Sequence, residues 1–199
     1  DADRLYRLQR IINMDGEQAY DGPVMNMPVP VAMLNDLHEV EHAVVIEYDI
    51  AETDVIRNDV NYKEKMTIAD STFFDMFGFN IVQGDKNMLG VASSLFLSES
   101  AAKRIFDNTP PVGQTLQFKN GGSTVTVAGV FKDLPDNSHL ELDMVLSLQT
   151  KRQNWGNIDV GWWMGQDYFT GYVKLRPGVK PEEVEAKLPA MLDKYYDVK

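Results

Sequence analysis

The residues best suited to chemistry stand at His38-Glu39-Val40-Glu41-His42. The pattern is H-E-x-x-H, in which two histidines one helical turn apart hold zinc and the glutamate acts as general base. It works only on a helix, because only there do i and i+4 share a face. The residues that follow, Ala43-Val44-Val45-Ile46, favour a strand. In a strand the two histidines stand about 13 Å apart along the backbone, too far for one ion. A helix running from Pro28 through His42 would restore the geometry, with a carboxylate such as Glu52 or Glu64 as third ligand, since His139 is the one histidine left. The residues favour solvated histidines at a helix end, with a zinc hydrolase on His38, Glu39 and His42 as the enzymatic alternative.

Asp133, Asp136, Ser138 and His139 crowd one stretch rich in turn formers. A hydrolytic triad needs members that converge in space beside an oxyanion hole, and no nucleophile elbow accompanies them, so loop capping is the expectation. Gly121-Gly122 lies between two extended stretches rather than before a helix, and the chain has no Walker motif. Neither supplies a phosphate cradle. Trp155, Trp162 and Trp163, with glycines at 156, 161 and 165, form an aromatic cluster that caps the core beneath a long loop or, as the alternative, marks a surface for a protein or hydrophobic peptide. No residue is expected to be catalytic, to bind a cofactor or to ligate a metal.

Composition narrows the classes further. A chain of 199 residues, 44% apolar, can bury a real core. Its formal charge of −11 argues against nucleic acid as a partner and against adsorption to an anionic membrane face. Absence of cysteine excludes disulfides, thiolate metal sites and thiol nucleophiles. No apolar run approaches the roughly 18–20 residues that cross a bilayer. The charged start at Asp1-Ala2-Asp3-Arg4 and the polar end at Asp197-Val198-Lys199 read as the ends of an excised piece.

The positioning elements follow from pattern. Leu5 to Met14 alternates imperfectly and its periodicity alone allows a helix, and Pro28 and Pro30 open a helix that reaches His38. Strands are predicted over 41–49, 52–57, 62–69 and 79–84, with Asn58-Asp59 as a turn. Asp70 caps a helix over 71–77 that Gly78 ends, and Phe73, Phe74 and Phe77 read as core. Residues 85–90 read as loop. Leu95-Phe96-Leu97 predicts a buried strand, with Ser98 as N-cap of a helix carrying Ala101, Ala102, Ile105 and Phe106. Pro110-Pro111 ends it. A hairpin follows over 114–119 and 123–132, turning at Asn120-Gly121. Residues 140–148 alternate, 168–175 is a strand, and 181–195 reads as one amphipathic helix with Val184, Leu188, Met191, Leu192 and Tyr195 on its apolar face. The sum is an α+β protein.

The run from Ser94 to His139 carries a resemblance. Leu97-Ser98-Glu99, Ala102-Lys103, Ile105-Phe106, Pro111-Val112-Gly113, Val127-Ala128-Gly129-Val130 and Leu134-Pro135 with Asn137-Ser138-His139 resemble, in that order, the MacB-like periplasmic core domain of FtsX-type ABC transporter permeases. Asp3-Arg4-Leu5-Tyr6-Arg7, Phe73-Phe74-Asp75-Met76-Phe77, Gly84-Asp85 and Tyr172-Val173-Lys174-Leu175 extend it over nearly the whole chain. The resemblance implies a porter-like layer of strands and helices over 1–85 and 140–199, with a smaller sabre-like α+β subdomain inserted over 86–139, and it favours a strand over 5–14 that enters a loop over 15–27. It implies no enzyme and no cofactor, because ATP hydrolysis belongs to a separate cytoplasmic domain. The parent would be a membrane protein with spans flanking this piece, on the periplasmic face of a bacterial inner membrane. Its partners would be that ATP-binding subunit or domain, a second permease copy and a periplasmic adaptor protein. The expected role is mechanical, passing conformational change to export or extract a substrate or to regulate a partner. A stand-alone binding module using the tryptophan surface is the alternative from another class.

Overall fold

The structure is a computed structural model that describes residues 2–135, 137–155, 163 and 168–196, without the side chains of residues 2, 154 and 155. In chain order the strands are β1 (Leu5–Arg7), β2 (Arg10–Met14), β3 (Glu17–Gly22), β4 (Val24–Met25), β5 (Val40–Glu47), β6 (Ala51–Arg57), β7 (Val60–Ala69), β8 (Ile81–Gly84), β9 (Ser94–Ser98), β10 (Thr115–Phe118), β11 (Thr124–Phe131), β12 (Met144–Ser147) and β13 (Phe169–Leu175). The helices are α1 (Pro28–Asp36), α2 (Phe73–Phe77), α3 (Glu99–Phe106), α4 (Leu148–Trp155), α5 (Pro181–Glu185) and α6 (Leu188–Tyr195). Packing divides the chain into two compact units, Asp1–Tyr48 with Asn157–Lys199, and Asp49–Gly156. Residues 49–85 and 140–156 therefore pack with 86–139.

In the first unit β13 is the centre. β5 pairs antiparallel along one edge, with Tyr172 opposite Val44. β1 and β4 share the other edge, with Tyr6 opposite Val173 and Met25 opposite Phe169. Gly171 is the residue that lets this layer be covered. A Cβ there would stand 2.3 Å from Pro30 Cγ and 3.0 Å from Met25 Sδ, so only hydrogen admits α1 against the strand. Met33, Val40, Val173, Leu175, Val184 and Met191 form the core beneath.

Two sequence expectations fail here for legible reasons. Residues 15–27 are not a loop throughout: Asp15 (φ 53°) and Gly16 (φ 84°) make a tight turn, and β3 returns along β2. Asp-Gly is the chemistry such a turn requires. The helix expected over 181–195 is two helices, α5 and α6. Pro189 lies in the first turn of α6, where it fits, but it would break a continuous helix. Three local signals hold. Asn58 and Asp59 take φ of 51° and 63° at their turn, Gly78 ends α2 at φ 68°, and Ser98 Oγ caps α3 by accepting from Ala101 N at 3.1 Å.

The second unit is a ring of strands. β7 pairs with β12, β12 with β9, β9 with β11, β11 with β10, β10 with β6, and β6 again with β7. Closure leaves no strand in the circuit with an unpaired edge along its whole length. Buried phenylalanines of α2, β9 and β11 pack together on one face of this sheet. Phe74 lies 4.7 Å from Phe96 and 6.1 Å from Phe131, ring centre to ring centre, and 5.5 Å from Phe73. The β10–β11 hairpin turns one residue later than expected, with positive φ at Gly121 and Gly122 rather than at Asn120. Residues 85–90 hold a 3₁₀ turn, capped where Asp85 Oδ1 accepts from Asn87 N at 2.9 Å.

β8 lies on β11 with Gly84 opposite Gly129. At Gly84 (φ 85°) a Cβ would meet Ala128 O at 2.1 Å, whereas at Gly113 (φ 86°) it would meet nothing within 4 Å. Gly84→Ala is therefore expected to cost about 3 kcal/mol and Gly113→Ala about 1 kcal/mol, the latter from backbone strain alone. Urea midpoints of the two variants check this, and equal losses would remove the strand contact from the account.

Candidate functional site

The H-E-x-x-H stretch does not form a metal site. α1 ends at Asp36, with Leu37 already extended at φ −113°, ψ 108°. His38 lies in the following turn with its side chain 85% exposed. His42 lies in β5, opposite Lys174 of β13. The three residues between the histidines span a turn and a strand, so the shared helical face that zinc needs is absent. Among the described residues, no cluster of three or more histidine, aspartate or glutamate side chains is placed to hold an ion. The β-branched run after His42 carried the correct signal.

The two glutamates of the motif do structural work instead. Glu39 is buried. Its Oε1 accepts from Lys187 Nζ, at the start of α6, and its Oε2 lies 3.3 Å from His38 Nδ1. Arg176 N donates to Glu39 O at 2.9 Å, and Arg176 Nε donates to His38 O at 2.7 Å. Glu41 accepts from Arg4 Nη1 at 2.5 Å, and the same nitrogen donates to Leu175 O at 2.7 Å. Asp36, at the end of α1, accepts from Lys194 Nζ at 2.9 Å and from Tyr195 OH at 2.8 Å, both on α6. These contacts tie the chain's first described strand and its last helix to one layer. Sequence reasoning missed them because each joins residues more than a hundred positions apart or of unremarked type.

Each partner lowers the pKa of its carboxyl. For Glu39 the cause is the hydrogen bond from Lys187, which outweighs the penalty of burial. For Asp36 it is the bond from Lys194, then that from Tyr195, and for Glu41 it is the bond from Arg4.

The loop after β11 is a capping device. Asp133 accepts from Ser100 N at 2.9 Å and from Ser100 Oγ at 2.6 Å, closing the first turn of α3. Partial burial works against its charge, but the Ser100 bonds prevail and hold its pKa below the ordinary value. Ser138 Oγ accepts from Leu140 N at 3.1 Å, and the His139 ring lies 6.4 Å from that of Phe77. Asp136 lies outside the described residues. No nucleophile, base and acid converge among those described.

Beside this loop, Arg104 of α3 reaches buried Glu64 on β7, with Nε 3.1 Å from Oε1 and Nη2 bonded to Oε2. Its Nη2 also donates to Asp143 at 2.6 Å. Asp143 Oδ2 accepts from Lys65 N at 3.1 Å. The two carboxylates raise the pKa of Arg104 despite its partial burial. A planar fork against a carboxylate fixes both angle and distance, so α3 is keyed to β7 and to the segment before β12.

Of the tryptophans, Trp163 is described. It stacks on Tyr195 at 4.3 Å and 8° and meets Tyr196 edge-on at 5.2 Å, the geometry of a ring that covers the core. Trp162 and the side chain of Trp155 lie outside the described residues.

The architecture so assembled has known counterparts. A model of the MacB-like periplasmic core domain matches residues 2–191. The chain belongs to that family. A domain assigned to a permease protein of Porphyromonas gingivalis superposes with a TM-score of 0.84 at 26% identity, over 99% of this chain and 86% of that one. The periplasmic region of MacB from Actinobacillus actinomycetemcomitans matches at TM-score 0.63 and 19% identity, over 96% and 81%. The extracellular domain of the noncanonic ABC-type transporter YknZ from Gram-positive bacteria matches at 0.69 and 14%, over 98% and 96%. Among curated proteins no sequence matches. Like those relatives, this MacB-like domain has the porter and sabre fold. No described helix is long and apolar enough to cross a membrane.

The paired carboxylates give this MacB-like domain an acid limit. Their folded pKa values lie below the unfolded ones, so the unfolded chain binds more protons as pH falls. The stabilisation is whole above the ordinary carboxylate range and is lost as pH drops through the folded values. Lys187→Met should lower the urea midpoint at neutral pH, and its difference from the parent should narrow as pH falls below the ordinary carboxylate range. A difference that stays constant with pH would take the Glu39–Lys187 pair out of the account.

Proposed function

We propose that this domain is a non-catalytic extracytoplasmic part of an ABC transporter permease. It stands on the periplasmic face of a bacterial inner membrane and passes on mechanical change driven by cytoplasmic ATP hydrolysis. The observation that carries the reading is the clasp of both chain-end elements onto one layer. Arg4, just before β1, is held to Glu41 and to the Leu175 carbonyl, while α6 is held to Glu39 through Lys187 and to Asp36 through Lys194 and Tyr195. Membrane spans on both sides of the piece would then pull on a single packed unit. Such a unit answers by moving as a body, because packed interiors are bistable rather than continuously deformable.

Within this reading the partners are an ATP-binding subunit or domain, a second copy of the permease and a periplasmic adaptor. The work done is export or extraction of a substrate or regulation of a partner. The porter-like and sabre-like names belong, in this proposal, to 1–85 with 140–199 and to 86–139. Trp155, Trp162 and Trp163 remain the proposed partner-binding residues. Trp163 already stacks on Tyr195 and meets Tyr196 edge-on, a rigid aromatic group of the kind that partners use.

The full-length transporter provides the test. Asp36→Ala with Lys194→Ala loosens α6 without touching the cytoplasm. Transport, or control of the partner, should fall at least severalfold while ATP hydrolysis by the purified assembly stays near its starting rate. Undiminished transport in a variant whose clasp is open, shown by faster backbone hydrogen exchange in α6, would sink the mechanical assignment.

A further inference from the structure

The unit that holds both chain ends also holds a cavity of about 520 Å³. It lies among the segment 8–13, α1 and α6, and Leu8, Ile12, Met33, Leu188 and Leu192 give it apolar walls. One side is polar. There Arg10 Nη1 and Tyr196 OH each donate to Asn26 Oδ1 at 3.0 Å. The Arg10 guanidinium lies 5.1 Å from the Tyr20 ring centre, which fixes its position. Asn26 is 3% exposed, so this polar side is built into the wall.

Charge makes the cavity selective. The whole chain carries −11, yet among the described residues that line the cavity none is acidic and Arg10 alone is charged. A cavity of this size, apolar with a few convergent polar groups, has the form of a small-molecule site. The Arg10 guanidinium sits at one side, a planar group of donors suited to an oxyanion. Apolar walls ask for a hydrocarbon body, and each buried methylene adds about 0.8 kcal/mol.

We infer that this cavity binds a single-chain anionic amphiphile, its alkyl chain among Leu8, Met33, Leu188 and Leu192 and its head group at Arg10. The inference does not rest on the mechanical reading: binding belongs to the 199-residue chain itself, and coupling to the full transporter, so each can fail without the other. No covalent step is involved.

Dodecanoate below its micelle-forming concentration is the probe, titrated calorimetrically into the 199-residue chain. It should saturate one site, and dodecyltrimethylammonium, with the same chain and opposite head, should bind at least tenfold more weakly. Dodecyl phosphate run beside it distinguishes a carboxylate head from a phosphate head, and saturable binding of either meets the inference. Arg10→Gln should weaken the anionic probe roughly tenfold, the scale of one charge-assisted hydrogen bond. Met33→Trp fills the cavity and should abolish binding. If that variant fails to fold, quenching by a bromine-labelled dodecanoate decides the matter, because Trp163 lines the cavity. Trp163→Phe should then remove the larger part of the quench. No saturable binding, equal binding of the cationic probe, or a quench unchanged in Trp163→Phe would each overturn the inference.

Discussion

Strand β13 is hydrogen-bonded along both edges, and that one constraint places most of the first unit. β5 takes one edge, and β1 and β4 divide the other. A buried strand cannot leave its N–H and C=O groups unmatched, so segments distant in sequence must come to it in fixed register. Register in turn decides which side chains meet. With Tyr172 opposite Val44 and Lys174 opposite His42, Val40 and Val173 fall on the core side, while His42 points to solvent. A slip of one residue would exchange those faces. Gly171 makes the same strand coverable, since any larger residue would collide with Pro30.

In the second unit the equivalent constraint is closure. A ring of strands satisfies its own edges, but it leaves α3 to be oriented by something other than backbone pairing. Apolar contact is non-directional, and Ala101, Ile105 and Phe106 would tolerate sliding. The Glu64–Arg104 fork supplies direction. Glu64 is 2% exposed at its side chain while Arg104 is about half exposed, so the carboxylate bears the desolvation and the guanidinium keeps contact with water. Breaking that pair by removing Arg104 would strand a buried charge, whereas a surface pair would lose little. The pair therefore contributes more to a unique orientation of the helix than to net stability.

What could be read from the sequence was local. Strands β5, β7, β9, β11 and β13, the cap at Ser98 and the turn at Asn58-Asp59 follow from propensities and spacing within ten residues, and they form nearly where expected. The Asp15-Gly16 turn and the break before Pro189 carried equally local signals that the resemblance over 5–27 and the amphipathic face of 181–195 outweighed. What could not be read is long-range. Nothing in the neighbourhood of Glu39 names Lys187, and nothing near Asp36 names Tyr195. The strand circuit β7–β12–β9–β11–β10–β6 is invisible to any periodicity, because pairing partners are chosen by topology. The family resemblance supplied what local pattern could not, since order and spacing of weak motifs over the whole chain carry topological information.

His38-Glu39-Val40-Glu41-His42 shows why the residue types alone misdirect. On a helix the five residues would make a reaction centre; across a turn and a strand they make a fastening. Glu39 faces inward to Lys187, Glu41 meets Arg4, and the histidines are left toward water. The backbone decides this before any ligand is considered, because Ala43 to Ile46 are needed as strand to fill the β13 edge. A catalytic reading would require the same carboxylates to be available to substrate, and their lowered pKa values reflect the opposite condition, engagement with cations of the fold. If the domain moves as a body, as proposed, the carboxylates that join helix to sheet are the residues on which that motion depends.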